Sequence, residues 1–399
     1  MLRTEPARSR SGRKPGRCPA CEAGRLSAFL ELPAVPVHCN LLWPDRQAAL
    51  AAPRGDIRLG FCQACGLVYN TAFDPALVEY SQRYENSLHF SPRFRKYADD
   101  LAGRLVERFD LHGKRLVEIG AGDGDFLRLL CRRGGNRGLG FDPGYDGPPG
   151  EDGDGVTIVP DFYSEAHAGQ PADFIVCRHV LEHIERPREF LASVRAAIGD
   201  RAGAALYFEV PDFNFTLRDL GIWDIIYEHC AYFTAPSLSR LFAAAGFAVS
   251  NVESAFGGQF LGLEAAPAPD GRSADDAGEV DALTRLVGSF AEVFRAKLDA
   301  WNEYLASLAR DGRRAVVWGA GSKGVTFLNI VSASAVDRVV DINPRKHGMF
   351  VAGAGLPIVP PEALRDDPPD VVLVMNPVYR TEIRHELDHL GVRPDVLTV

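Results

Sequence analysis

Residues 114–134 read KRLVEIGAGDGDFLRLLCRRG: a short apolar run, a turn holding Gly120, Gly122 and Gly124, and then apolar residues at helical spacing. Glycine is required where backbone must pass close to a partner or turn through positive φ, so the stretch reads as strand, tight turn and helix. The rhythm continues on both sides. SPRFRKYADDLAGRLVERFDL (91–111) is an amphipathic helix that leads into it. GLGFDPG (138–144), VTIVPDF (156–162), ADFIVCRHV (172–180) and AALYFEVPD (204–212) read as further strands, with FLASVRAAIG (190–199) as a helix among them. Strands alternating with helices give βαβ units and a parallel sheet covered on both faces, an α/β fold.

The motif recurs near the end of the chain. RRAVVWGAGSKGVTFLNIV (313–331) is again strand, glycine turn and helix, and VDRVVDINP (336–344) and DVVLVMNP (370–377) supply more strands. APAPDGRSADDAGEVDA (266–282) separates the two units as a linker rich in Pro, Asp, Gly and Ala. The expected organisation is a disordered basic tail (1–16), a metal-stapled module (17–75), a first α/β core (76–265), the linker (266–282), and a long amphipathic helix with a second Rossmann-like domain (283–399).

At 399 residues the chain is long enough for two or three domains, and 46% hydrophobic with 24% charged residues is a globular composition. The formal charge of −9 opposes general binding to nucleic acid or to anionic membranes. No apolar run approaches the ~20 residues of a membrane span, and MLRTEPARSRSGRKPGR lacks the apolar core of a signal peptide, so a cytoplasmic location is expected.

Four of the eight cysteines form two C-x-x-C pairs, Cys18/Cys21 and Cys62/Cys65, separated by 40 residues. Two intervening residues let both sulfurs of a pair face one ion, so the four thiolates form a tetrahedral site whose natural occupant is Zn2+. A closed shell of four thiolates leaves no coordination position for water, which makes such a metal structural.

In the first glycine turn the third position of a G-x-G-x-x-G pattern is occupied by Asp125, so the G-x-G-x-G spacing fits an S-adenosylmethionine (SAM) site better than a nicotinamide one. Glu118, Gly120, Ala121 and Gly122 form the turn. Asp142, followed by Pro143, stands at the tip of the second strand, placed to accept from ribose hydroxyls. Asp161 and Phe162 follow the third strand and could flank an adenine, with core packing the competing reading for Phe162; Arg178 and His179 close the fourth strand at the same sheet edge.

WDIIYEHCAYFT (223–234) gathers Tyr227, Glu228, His229 and Tyr232. A histidine among carboxylate and phenol groups suits a general base, and a helix cap or a satisfied core histidine is the competing reading. Taken in order, CPAC, LPAVPVHCNLLWP, CQAC, VEIGAGDGDF, CRHVLEHI, YEHCAYF, FGGQFL and VVWGAGSKG resemble the zinc-containing, SAM-dependent C-methyltransferases, best known for methylating C-3 of nucleotide-linked 4-keto deoxysugars. The resemblance covers nearly everything past the tail. It implies that His229 removes the proton beside the keto group, with Glu228 and Tyr227 near it, and that a tyrosine ahead of the core, best matched by Tyr84 and less well by Tyr80, also serves catalysis.

The chain departs from that pattern in three places. Ile226 stands where the family has a tyrosine, with Tyr227 one place later; Gln259 follows Gly257 and Gly258 where the family has serine; and the serine-rich turn becomes ENSLHFS. These positions belong to the acceptor pocket, so C- or O-methylation of a non-sugar metabolite is the alternative acceptor reading. His183 is a further polar candidate, against helix-face packing.

The second turn carries Gly319, Gly321 and Gly324 in G-x-G-x-x-G spacing, with Asp341 after the next strand. Read alone it is a dinucleotide fingerprint and suggests an NAD-dependent oxidoreductase. The resemblance implies instead a domain that encloses the acceptor without NAD, with Tyr232, Gln259, Lys323, Asn376 and Tyr379 as candidate acceptor contacts and Lys323 suited to a phosphate.

Overall fold

The computed structural model describes residues 17–23, 26–78, 85–148, 150–167, 172–199, 201, 203–268, 271 and 277–399. The expected tail 1–16, Tyr80 and Tyr84 lie outside the described residues.

An N-terminal antiparallel sheet has the order β1 (Ser27–Pro36), β2 (Arg54–Phe61), β3 (Val68–Asn70) and β9 (Ala231–Tyr232). Between β1 and β2 lies the short helix α1 (Arg46–Leu50), whose first turn is capped by Asp45 accepting from the Ala48 amide. Strand β9 comes from the YEHCAYF segment, distant in sequence, and pairs Ala231 and Tyr232 with Tyr69 and Val68. The cysteine module thus anchors the segment that carries His229.

The central sheet contains β4 (Arg115–Ile119), β5 (Arg137–Phe141), β6 (Val156–Val159), β7 (Phe174–Arg178), β8 (Ala205–Pro211), β10 (Phe247–Ala255) and β11 (Phe260–Pro267). Its order is β10-β11-β8-β7-β4-β5-β6, with β4 to β8 parallel and the β10–β11 hairpin antiparallel at one edge. The strands and the helix read from the sequence all appear. FIVCR is buried at every position, as an unbroken apolar run must be when helices cover both faces. The covering helices are α2 (Pro92–Arg108), α3 (Asp125–Gly134), α4 (Pro187–Ile198), α5 (Phe213–Arg218) and α6 (Ala235–Ala244). Helix α2 starts where Ser91 accepts from the Phe94 amide and Pro92 supplies a preset φ.

Helix α7 (Ala277–Arg310) starts inside the stretch read as linker and crosses to the C-terminal domain, packing against β1 and α5. Val280, Leu283, Val287, Phe290 and Phe294 bury its apolar stripe in a core shared with the N-terminal sheet and the last domain. That domain comprises β12 (Ala315–Trp318), α8 (Ser322–Ile330), β13 (Val336–Val340), β14 (Ile358–Val359), α9 (Ala363–Asp366), β15 (Val371–Val374), α10 (Arg380–Leu390) and β16 (Asp395–Thr398). Its sheet is parallel, ordered β14-β13-β12-β15-β16. In each α/β sheet the chain reverses its direction of travel beside the first strand, between β4 and β7 and between β12 and β15. Ligands of open α/β sheets bind outside the carboxyl ends of the strands at such a reversal. Among the described residues no helix is long and apolar enough to cross a membrane.

Candidate active site

Two cavities occupy those positions and meet. The first, of about 530 Å3, lies over the carboxyl edge of the central sheet, and every residue expected at the cofactor lines it: Glu118, Gly120, Ala121, Gly122, Asp142, Pro143, Asp161, Phe162, Arg178 and His179. Gly120, Gly122 and Gly124 all have positive φ, at 73°, 53° and 84°. A Cβ on Gly120 would come 2.2 Å from Val180 Cγ2, whereas one on Gly122 would meet nothing within 4 Å. The Asp142 carboxylate holds the turn, accepting from the Gly122 amide at 2.8 Å and from the Gly144 amide at 2.8 Å. Glu118 Oε2 is buried without a hydrogen-bond partner among the described residues. Burial, opposed by Arg178, pushes the Glu118 carboxyl up to about 8. Phe162 is a largely exposed aromatic at the rim. An open glycine cradle, an orphaned carboxyl oxygen and an exposed ring fit an adenosyl ligand bearing ribose hydroxyls.

The second cavity, of about 300 Å3, lies between the central sheet and the C-terminal domain. His229, Gln259, Lys323, Asn376 and Tyr379 line it, together with the second glycine turn and Asp341. His179 and His183 line both cavities, as do Asn86, Ser87 and Leu88, so the two spaces join there.

His229 stands against His183, with ring centroids 4.9 Å apart, and its Nδ1 has no hydrogen-bond partner among the described residues. Burial and the neighbouring His183, His179 and Lys323 hold its pKa well below the ordinary 6.5, so the imidazole is neutral at pH 7. Glu182, His183 and His229 each bring one polar atom into a group spanning no more than 4.8 Å.

Ile226 lines the second cavity, whereas Tyr227, Glu228 and Tyr232 line neither. The fully buried Glu228 turns toward the N-terminal module, where Oε2 accepts from the Cys39 amide at 2.9 Å and Oε1 lies 3.4 Å from His38 Nδ1. Its backbone carbonyl lies 3.0 Å from His183 Nδ1. Tyr227 lies across the backbone of Gly55, where a Cβ would come 2.3 Å from its ring, and its hydroxyl bonds to the backbone of Asp74. The Tyr232 hydroxyl donates to the Ile226 carbonyl at 2.7 Å and accepts from the Ile226 amide at 3.1 Å, closing the turn that presents His229. These three side chains hold the loop.

Across the second cavity, Gln259 and Asn376 exchange amide hydrogen bonds at 2.8 and 2.9 Å, joining the central core to the C-terminal domain. The Val378 amide donates to Asn376 Oδ1, which fixes the orientation of that pair. Lys323 donates to Asp224 at 2.5 Å. Lys346, 5% exposed, donates to the Ala320 carbonyl at 3.2 Å and forms no ion pair among the described residues.

Several of these residues escaped the sequence reading. Lys346, Glu182 and Asp224 line the second cavity, and only their nearness to a strand end or to a motif could have marked them. Glu85 was missed as well. Its carboxylate receives Asn343 Nδ2 at 3.1 Å and Arg345 Nη1 at 3.0 Å, and the same Arg345 nitrogen lies 3.2 Å from Asp123 of the first glycine turn. The C-terminal domain thereby clasps the rim of the first cavity.

Cys18, Cys21, Cys62 and Cys65 converge at the base of the N-terminal sheet with all four sulfurs within 4.8 Å of one another. No cysteine of the chain is in a disulfide. Four sulfurs bound about 2.3 Å from a tetrahedral zinc lie about 3.8 Å apart, and the Cys18–Cys65 and Cys21–Cys62 pairs, each at 3.6 Å, fit that donor geometry.

Two family models match the chain: a methyltransferase domain over residues 91–252 and a C-methyltransferase C-terminal domain over residues 274–393. The C-methyltransferase NovU of Streptomyces niveus is 28% identical over 304 residues, 71% of either chain. Among solved structures, 1,6-didemethyltoxoflavin-N1-methyltransferase from Burkholderia thailandensis is 17% identical, covering 44% of this chain and 81% of its own with a TM-score of 0.34. Magnesium protoporphyrin IX methyltransferase from Synechocystis is 18% identical, covering 44% and 84% with a TM-score of 0.34. The chain is a SAM-dependent methyltransferase. Its second matched domain is similar to the C-terminal domain of C-methyltransferases.

Proposed function

We propose that this enzyme methylates a carbon next to a ketone on a nucleotide-linked keto-deoxysugar, with His229 as the base. The carrying observation is the junction of the two cavities: His229, a neutral imidazole, lines the acceptor space and packs against His183, which lines both spaces. Bound SAM supplies an electrophilic methyl group there. Glu118, Asp142 and the Gly120–Gly122 backbone are assigned to the ribose and adenosyl part, and Phe162 to the adenine face. His229 takes the α-proton, and the space between the domains holds the resulting carbanion against the methyl donor.

The second glycine turn is assigned to the phosphates of the acceptor. Lys346 is a buried ammonium without a carboxylate in reach among the described residues, a state that an anionic ligand would relieve. Beside it, the amino end of α8 with Ser322 and Lys323 opens on the same cavity. Gly321 sits at φ −94°, a conformation open to any residue, and a Cβ there would have only Asn40 Oδ1 nearby at 3.9 Å, so its bare backbone is available to a ligand. The four-cysteine cluster is assigned to structural zinc, and Glu228, Tyr227 and Tyr232 to holding the base.

Incubation of the full chain with SAM and a thymidine-diphosphate-linked 4-keto-6-deoxyhexose tests the proposal. The expected product is one methyl group heavier, with the new methyl on the carbon next to the ketone by NMR. A product methylated on oxygen, or no product with this acceptor class, contradicts it.

A further inference from the structure

We propose that His179 is a catalytic residue that donates a hydrogen bond to the acceptor oxygen as the ketone becomes an enolate. The inference rests on the ketone-acceptor reading above and adds the group that carries the developing charge.

His179 ends β7 at the junction, lining both cavities, and takes the left-handed conformation at φ 56° that a non-glycine residue adopts only when its surroundings impose it. Its amide donates to the Glu209 carbonyl at 2.8 Å, and the Phe260 ring meets the imidazole edge-on with centroids 4.4 Å apart. Two carboxylates flank the ring: Glu209 Oε1 lies 3.0 Å from Nε2 and Glu182 Oε1 lies 3.7 Å from Nδ1. The 3.0 Å contact is not aligned as a hydrogen bond, and Nε2 is buried. Nε2 is thus the enclosed nitrogen, and Nδ1, 3.7 Å from Glu182 Oε1, is the one left for an acceptor oxygen. Behind the ring, Glu209 is itself held by Arg178, Tyr97 and Tyr207. Burial disfavours the charged ring, but Glu182 and Glu209 outweigh it and hold its pKa up to about 8.

The other polar groups on this wall are engaged differently. His183 Nδ1 is engaged with the Glu228 carbonyl at 3.0 Å. Lys323 is paired with Asp224, and Gln259 with Asn376. A neutral base and a charged donor therefore line one space, as expected when environments push the pKa values of two titratable groups apart. In the step, the α-proton goes to His229, the C–H pair becomes the C=C bond, and the carbonyl π pair moves to oxygen against His179. The α-carbon then takes the methyl as the C–S pair returns to sulfur, the carbonyl re-forms, and the proton leaves His229 for solvent.

The test follows solvent deuterium into the α-position of the same 4-keto sugar nucleotide by NMR, with the full chain saturated with S-adenosylhomocysteine. Wild type exchanges, and His179→Gln slows exchange about 100-fold or more, as loss of one oxyanion donor does, while calorimetry shows unchanged affinity for S-adenosylhomocysteine. Exchange at the wild-type rate in His179→Gln overturns the proposal. Loss of S-adenosylhomocysteine affinity in parallel also overturns it, by making His179 a cofactor contact. Failure of wild type itself to exchange overturns the ketone reading, a result separate from any variant. Should His179→Gln not fold, Glu182→Gln leaves the ring in place and removes one of its two carboxylates; the alkaline limb of the exchange profile then moves to lower pH, and an unmoved limb overturns the proposal.

Discussion

The chain builds strand, glycine turn and helix twice, and the two copies differ in what faces them. In the first, all three glycines stand at positive φ and the cavity beyond holds Glu118, Asp142 and Asp161. In the second, Gly319 turns at φ 116°, Gly324 is required because a Cβ would strike the Gly319 carbonyl at 2.0 Å, and the cavity beyond holds Lys323 and Lys346. Each turn is tied by an aspartate from the next strand, Asp142 to the Gly122 amide and Asp341 to the Ala320 amide, both at 2.8 Å. Common scaffolding thus leaves ligand choice to the surrounding charge. Aspartates suit a cationic sulfonium with ribose hydroxyls, and the buried Lys346 suits a phosphate.

The largest effect that sharpens this contrast is at the junction. His229→Ala should lower methyl transfer by about 1,000-fold, within the range of a lost general base, with S-adenosylhomocysteine affinity retained by calorimetry. Stripping the four-cysteine site with a strong chelator should come next, because β9 pairs with the sheet above that site and carries the loop of His229. The expected readouts are about one zinc per chain by metal analysis before treatment and, after it, loss of turnover with a lowered unfolding temperature.

The two turns should then separate cleanly. Asp142→Ala should weaken S-adenosylhomocysteine by about tenfold, ~1.4 kcal/mol, and leave thymidine diphosphate binding unchanged. Lys346→Met should do the reverse by a similar factor. The pH dependence is a milder test. With His229 neutral well below pH 6.5 and His179 charged up to about 8, exchange should hold steady near pH 7 and fall as pH rises through about 8. A rate that climbs through pH 8 would count against a charged His179. The smallest effect belongs to Gly321→Ala, which its φ of −94° admits, with a stability change within ~0.5 kcal/mol by denaturant unfolding.

Both turns and the cysteine pairs were legible because their information is local: a glycine spacing, a strand end, a C-x-x-C. The first cavity followed directly, since its residues sit at successive strand tips of one sheet. The second did not, because it lies between domains and depends on which side chains turn toward it. Glu228 adjoins His229 in sequence, yet its carboxylate is drawn to the Cys39 amide across the N-terminal module. Tyr227 and Tyr232 are likewise spent on Asp74 and Ile226. Lys346 and Glu85 carry no motif, and only tertiary packing brings them to the site. The second turn's spacing resembled a dinucleotide site because glycine reports backbone approach without reporting the ligand.

The central claim, two turns for two ligands, is tested most directly by calorimetric titration of the full chain with S-adenosylhomocysteine, then with thymidine diphosphate while S-adenosylhomocysteine is saturating. The expected result is one site for each, filled together, and no competing site for NADH. Displacement of one ligand by the other, or NADH binding abolished by Gly321→Ala, would contradict it.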